Sequence, residues 1–259
     1  MTTDPPPVPP DSFVALIPVV WDSSEISVLS EVHPQVWAEL LVPVDPPTHP
    51  TLGAFRVGED PDGPSITIIE DEPLPQLADL LDHARQPFLP AEALQLRNHS
   101  SLWRITLTDV RHAPLARARA FLRVLSTACE AGAPAVFLPS SLQLHPASLV
   151  RHLATEHRQP QTLTNLFVSA FNDDDWMVSR GLTAFGLPEL ETPIVQGLNA
   201  AFFRLMDLSC AMIAQESPLS PDRSVQLGPD LLTVETGPLG PPDTGIPVNG
   251  SFGRLTLRD

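Results

Sequence analysis

The chain has 259 residues, of which 42% are hydrophobic and 18% are charged, and its 31 acidic side chains outnumber 15 basic ones. The apolar share indicates a folded protein with a core and excludes a disordered chain. The net charge of −16 argues against nucleic acid and anionic membranes as partners, because both require a basic surface.

The N-terminal segment and the cysteines indicate the cellular compartment. Residues 1–11, MTTDPPPVPPD, form a proline-rich segment without basic residues, which we expect to be a disordered arm and not a signal peptide. No stretch of the sequence reaches the length of a membrane-spanning helix. Cys129 and Cys210 are far apart in helix-like segments, so we expect two reduced core residues. Together these features predict a cytoplasmic protein.

Residues 12–160 predict an N-terminal α/β half. Pro18 should place its first strand at the edge of a sheet or end the strand early, because proline lacks a backbone donor. The lengths between Trp103 and Leu138 fit a strand, a crossover helix and a parallel strand. The predicted strands are 13–20, 36–44, 52–58, 65–70, 102–108 and 135–139, and the predicted helices are 23–29, 74–84, 91–99, 114–130 and 146–156.

Residues 161–259 predict a second half of similar size with α+β character. An acidic turn at 172–175 should join two strands into a hairpin, and Gly181 and Gly186 bound a segment that must turn sharply. The helix 198–215 is apolar almost all round, with Arg204, Asp207 and Gln215 as its polar strip. The strands of this half are predicted at 166–171, 176–179, 189–195, 230–236 and 254–258.

These elements predict the α+β class, with mixed, mostly antiparallel sheets and helices packed on one face. The pattern fits two α/β halves, 12–160 and 161–259, and it also fits one continuous domain.

Motifs for nucleophilic or phosphate chemistry are missing, since the sequence has no G-x-S-x-G elbow, no P-loop and no dinucleotide-binding glycine pattern. His99 precedes a strand and is either a polar-site residue or a helix-end residue. The acids of the turn, Asp173, Asp174 and Asp175, could supply oxygen ligands, although a hairpin turn explains them as well. No catalytic, cofactor-binding or metal-binding residue is assigned.

Paired carboxylates form a second candidate. Glu189 and Glu191 lie two apart on an extended segment, so their side chains share a face. They either serve acid–base chemistry or face solvent while Leu190 faces the core. Six of the fifteen arginines fall between Arg97 and Arg123, which favours either an anion or partner site or pairing with the protein's own carboxylates.

A series of segments from about Asn98 to the C-terminus carries a resemblance to a known family. In order they are His99 followed by LWRITLT, a long helix, AVFLP, HPASLVRHL, LFVSAF, RGLTAFGLPELE, a long apolar helix and a closing pair of strands. The chain here resembles the uncharacterised bacterial family called domain of unknown function four-two-six-one. The resemblance implies an α+β domain of bacterial origin and transfers no catalytic residue, while some relatives of this broad kind are suspected interaction or immunity-type partners.

The function that follows from these observations is binding of another protein. We expect a protein-binding or regulatory module, in the manner of an immunity protein, without catalysis and without a cofactor, as a monomer or small homo-oligomer. The alternative is a small hydrolase or small-ligand-binding protein, whose site would use His99 with the carboxylates Asp173–Asp175 and Glu189–Glu191.

Overall fold

The computed structural model describes residues 12–20, 40–45, 51–58, 60, 62–108, 111–156, 159–219, 224–227, 230–237 and 254–258. The chain divides into two compact units, Ser12–Arg158 and Gln159–Asp259. The sequence predicted the boundary between its two halves between residues 160 and 161. The arm predicted at 1–11, the helix predicted at 23–29 and residues 36–39 of the second predicted strand lie outside the described residues.

The first unit contains a seven-stranded sheet in the order β2-β3-β4-β5-β1-β6-β7. All of its neighbouring strands are antiparallel. The strands are β1 (Phe13–Val19), β2 (Leu41–Asp45), β3 (Thr51–Val57), β4 (Ser65–Asp71), β5 (Ser101–Leu107), β6 (Ala135–Leu138) and β7 (Gln143–Pro146). The strands predicted at 52–58 and 65–70 pair with each other as β3 and β4, whereas the four-residue strand β7 was not predicted.

Strand β1 lies inside the sheet between β5 and β6 and continues past Pro18 to Val19, so the prediction that Pro18 places it at an edge or ends it early is wrong. The Ser100 amide donates to the Val19 carbonyl at 2.8 Å on the β5 side. Since hydrogen-bonding groups alternate along a strand, Pro18 faces β6. The β1–β6 pairing is recorded only at Leu16 and Phe137. The missing amide hydrogen of Pro18 therefore falls where the ladder has already ended.

The helices of the first unit are α1 (Pro90–Arg97), α2 (Pro114–Glu130) and α3 (Ala147–Thr155), preceded by a 3₁₀ helix (Pro75–His83) where the sequence predicted an amphipathic helix. Helix α2 connects β5 to β6. These strands are parallel to each other because both are antiparallel to β1, which lies between them. The predicted strand–helix–strand unit is thus present, but its two strands are not neighbours.

Helical segments lie on both faces of this sheet. On one face, Phe13 packs against Phe121 of α2, with ring centroids 5.8 Å apart. On the other, Leu16 joins a core cluster with Leu77 of the 3₁₀ helix and Leu96 of α1. Because successive side chains of a strand point to opposite faces, β1 contributes to two cores. The sequence predicted helices on one face of the sheet, whereas helical segments pack on both faces of this one.

One carboxylate connects the starts of two helices in the first unit. Glu92, in the first turn of α1, is buried. Its Oε2 accepts the amide of Leu89 at 2.9 Å, and its Oε1 accepts the amide of Ser148 at 2.7 Å. Both amides belong to helix N-termini, where donors lack partners within the helix and negative charge is favourable.

The second unit contains a six-stranded sheet in the order β11-β12-β13-β10-β9-β8. Strands β10 and β13 are parallel and the other neighbouring pairs are antiparallel. The strands are β8 (Ser169–Asp173), β9 (Trp176–Arg180), β10 (Glu189–Pro193), β11 (Ser224–Leu227), β12 (Asp230–Gly237) and β13 (Arg254–Arg258). The predicted α+β class with mostly antiparallel sheets is confirmed.

Two helices accompany this sheet, α4 (Pro160–Phe167) and α5 (Leu198–Gln215). Helix α5 packs against β8, β9 and β10 as well as against α4. Its bounds were predicted, but Arg204 of the predicted polar strip is buried. Helix α4 was missed, because Leu166 and Phe167 were assigned to a strand that in fact begins at Ser169. In the part of the chain that the structure describes, no helix has the length and apolar character needed to cross a bilayer.

Candidate functional site

The carboxylate of Glu189 is the most enclosed acidic group among the predicted site residues, with 2% of the residue exposed. Its Oε2 accepts a hydrogen bond from the Ser179 hydroxyl at 2.6 Å. Its Oε1 accepts the backbone amides of Gly181 at 2.8 Å and Thr183 at 3.3 Å. The expectation that Glu189 faces solvent is therefore wrong.

The segment between Gly181 and Gly186 explains why these amides converge on one carboxylate. Both glycines have left-handed backbone angles, with φ of 109° and 73°, and they enclose a 3₁₀ turn over Leu182–Phe185. Side chains with a Cβ rarely adopt such angles. The sharp turn that the sequence predicted here is confirmed. It directs the first amides of the 3₁₀ turn at Glu189, which satisfies donors that the turn itself leaves without partners.

The Ser179 hydroxyl also replaces part of the backbone ladder. The pairing between β9 and β10 is recorded from Trp176–Pro193 to Val178–Glu191 and stops there. The next amide of β10, that of Leu190, donates instead to Ser179 Oγ at 2.7 Å. Ser179 thus accepts from one strand and donates to Glu189, which joins the end of β9 to the start of β10.

Burial raises the pKa of Glu189, and the hydrogen bonds from Ser179, Gly181 and Thr183 and the charge of Arg180 oppose that rise. A carboxylate away from water loses hydration in its charged form, so proton binding becomes easier. Every recorded partner of Glu189 is a donor of its own unit. This arrangement is suited to holding the β9–β10 connection together rather than to meeting a dissolved substrate.

The other predicted carboxylates lie elsewhere in the second unit. Glu191 is half-buried, two residues along β10 from Glu189. The acids Asp173–Asp175 form the confirmed hairpin turn between β8 and β9, in which Asp174 has a φ of 51°. This turn adjoins Trp176 at the start of β9, whereas Glu189 lies near Arg180 at its end. At about 3.3 Å per residue the two ends are roughly 13 Å apart, so the acids do not form one site.

His99 belongs to the first unit and is buried there. The amide of Leu74 donates to its Nε2 at 3.0 Å. Its Nδ1 lies 2.6 Å from the Leu96 carbonyl and must carry the proton, since Nε2 is the acceptor. Both ring nitrogens are used to join the end of α1 to the start of the 3₁₀ helix. This contact corresponds to the helix-end alternative for His99.

Two members of the Arg97–Arg123 group use groups of the protein itself. Arg104 forms an ion pair with Asp71, with Nε and Oδ2 3.1 Å apart. Burial raises the pKa of Asp71, and the positive charge of Arg104 opposes that rise. Arg117 is buried and its guanidinium lies over the Phe13 ring, 5.8 Å from the centroid. Within the described residues, no group of three or more His, Cys, Asp or Glu is arranged to hold a metal ion.

An exposed apolar surface lies where β10 leads into α5. Val195 is 68% exposed, Leu198 50% and Phe203 63%. Phe202 completes the group, because its ring lies edge-on to that of Phe203 with centroids 5.5 Å apart and it is the i+4 neighbour of Leu198. We call Val195, Leu198, Phe202 and Phe203 the apolar knuckle. The sequence described this helix as apolar almost all round without indicating which apolar side chains stay exposed, so this surface was missed.

The acidic turn lies next to the apolar knuckle. The amide of Ile194, the residue before Val195, donates to the carbonyl of Asp175 at 2.8 Å. Asp174 and Asp175 are exposed. The structure therefore joins two features that the sequence treated separately, the acidic turn and the start of the long helix.

No family model, curated protein or solved structure matches the chain. The resemblance from about Asn98 to the C-terminus remains a prediction.

Proposed function

We propose that the chain is a protein-binding module that recognises its partner through the second unit. The observation that carries the proposal is the apolar knuckle, where Val195, Leu198 and Phe203 are each at least half exposed. Single exposed apolar side chains are common on proteins, but several of them close together along the chain are a candidate interaction site.

The size of the knuckle fits an anchor within a larger interface. Large apolar side chains have about 150–250 Å² each, so the exposed parts of three such residues amount to about 300 Å². A stable protein–protein interface covers about 800 Å² on each partner. The knuckle can therefore provide the apolar centre, while the surrounding polar surface supplies the rest.

The alternative of a hydrolase or small-ligand-binding protein has less support. It requires His99 and the carboxylates to act on a bound molecule. Both nitrogens of His99 are engaged within the first unit. Glu189 is enclosed by donors of the second unit and lies at the opposite end of β9 from the acidic turn.

Affinity capture from a lysate of the source organism tests the proposal. The bait is the full chain, compared with the double variant Leu198→Ser/Phe203→Ser. We expect a protein captured by the native chain to be reduced at least about tenfold on this variant, because loss of a central apolar anchor costs more than about 1.4 kcal/mol. The matched control is Leu94→Ser on α1, where the leucine is 61% exposed, and this variant should capture normally.

Circular dichroism must first show that the variants keep the native fold. Capture that is unchanged by the double variant would refute a role of the knuckle. Capture that Leu94→Ser lowers equally would show that any exposed leucine has the same effect, which also contradicts the proposal.

A further inference from the structure

Acidic side chains adjoin the apolar knuckle on both of its sides. The exposed acids Asp174 and Asp175 adjoin it through the contact between the Ile194 amide and the Asp175 carbonyl. Asp207 is exposed on α5, one turn beyond Phe203, and residues four apart are neighbours on a helix surface. The knuckle thus has carboxylates both before and after it.

Basic side chains that could neutralise these acids from within the same segment are not available. The sequence from Gly181 to Phe203 contains no arginine or lysine. Arg180, which precedes it, lies over the ring of Phe171, 5.5 Å from the centroid. Arg204, which follows it, is buried. Within this segment and the adjoining turn, the exposed surface therefore has an apolar centre and a rim of carboxylates.

This arrangement fits one kind of occupant better than the others. A second copy of the chain would place acids against acids, and like charges at an interface oppose association. Nucleic acid and anionic lipid are repelled for the same reason. A segment that carries arginine or lysine on either side of leucine or phenylalanine matches both the centre and the rim.

We infer that the apolar knuckle and the carboxylates of Asp174, Asp175 and Asp207 together bind a basic segment of a partner protein, with an apolar side chain of that segment seated on Phe203. This inference rests on the proposed protein-binding function and specifies the chemistry of the partner. The apolar contact supplies most of the affinity, whereas the acids select against neutral and acidic competitors and speed association at low salt.

A displayed library of random 16-residue peptides tests the inference. Peptides are selected on the full-length chain and counter-selected on Phe203→Ser, and the enriched sequences are read. We expect enriched peptides to carry net positive charge and at least one leucine, phenylalanine or tryptophan. The most enriched peptide is then synthesised, and its affinity is measured by fluorescence anisotropy at about 50 and 300 mM salt, a range over which screening of exposed charges increases strongly.

The variant Asp174→Asn/Asp175→Asn/Asp207→Asn should weaken binding of this peptide about threefold to a hundredfold, since each exposed ion pair changes affinity by about 1.5-fold to fivefold. It should also reduce the salt dependence. Asp79→Asn, at an exposed acid of the first unit, is the matched control and should bind like the native chain.

Several results would overturn the inference. These are enriched peptides without a positive bias, no enriched peptide at all, or an affinity that the triple variant leaves unchanged. A dimer of the chain that Phe203→Ser converts to monomer would show a second copy as the occupant. If lysate capture still depends on Phe203 in any of these cases, the protein-binding function stands and only the basic partner is rejected; if that dependence is also absent, both fail.

Discussion

Replacement of Glu189 by alanine should selectively destabilise the second unit. The change removes the acceptor of the Ser179 hydroxyl at 2.6 Å, the Gly181 amide at 2.8 Å and the Thr183 amide at 3.3 Å. Ser179 and Gly181 are buried, whereas Thr183 is half-buried and accessible to water. A buried donor left without a partner costs about 1–3 kcal/mol, so the two buried donors account for about 2–6 kcal/mol.

Removal of a buried charge offsets part of this loss. Burial raises the pKa of Glu189, which shows that the enclosure disfavours its charged form. We therefore expect a net loss of about 2–4 kcal/mol at neutral pH, measured as the free energy of unfolding in urea. Hydrogen exchange read by mass spectrometry should rise in residues 176–193 and stay unchanged in β1 and β5.

Asp207→Ala is the control, because Asp207 is exposed on α5 of the same unit and its replacement should cost less than about 1 kcal/mol. The explanation would be refuted if the stability of Glu189→Ala lay within about 1 kcal/mol of that of the native chain, or if its loss equalled that of Asp207→Ala.

Three further predictions concern pH, His99 and the cysteines. Burial raises the folded-state pKa of Glu189 above its usual 4.5, so the folded state binds the proton more tightly than the unfolded state does. The stability that this group contributes is therefore present below pH 4.5 and is lost as the pH rises through the raised pKa. In urea denaturation, the free energy of unfolding of the native chain should rise relative to that of Glu189→Gln from pH 7 to pH 4.5, and a constant difference would contradict this. His99→Ala should lower the free energy of unfolding by about 1–3 kcal/mol, because two hydrogen bonds are lost. The same assay on His83→Ala, at an exposed histidine, should show a loss of less than about 0.5 kcal/mol, and equal losses would rule out the hydrogen-bonded role of His99. Burial raises the pKa of the Cys129 thiol to about 12. A maleimide at pH 8 should therefore label half-buried Cys210 before Cys129, as read by mass spectrometry. Equal labelling rates of the two thiols would disprove the enclosure of Cys129.

Local sequence patterns predicted most of the regular elements. The helices at 114–130 and 198–215 have the predicted bounds, since each combines an apolar period with a clear stop. The four-residue strands β7 and β11 were missed because four residues carry too little alternation to stand out. Helix α4 was missed in spite of a signal, Pro160 in the first turn, because the following Leu-Phe-Val run has strong strand propensity.

The candidate site depended on contacts that local patterns do not encode. Alternation predicts one direction for Glu189 and Glu191, but it cannot state how much of that face is covered. The enclosure of Glu189 comes from Ser179 and from the turn after Gly181, which precede it by about ten residues. A serine in one strand and a glutamate ten residues later in the next, with a glycine-bounded turn between them, is the signal that could have identified this group.

The position of the knuckle likewise depends on tertiary structure. An apolar helix predicts burial in general, and only its packing against β8, β9 and β10 decides which side remains open. Phe203 lies on that open side. The neighbouring acids were visible in the sequence, yet their contact with the start of the helix required the hydrogen bond between Ile194 and Asp175.

The carboxylate of Glu92 has a consequence for the order in which the first unit folds. It serves an amide three residues before it, that of Leu89, and one 56 residues after it, that of Ser148. The first contact can form as soon as α1 does, whereas the second requires closure of a long loop that contains β5, α2 and β6. Closure of such a loop has an entropic cost that local contacts avoid. The first turn of α3 should therefore gain its protection late, after the strands on either side of β1 have paired.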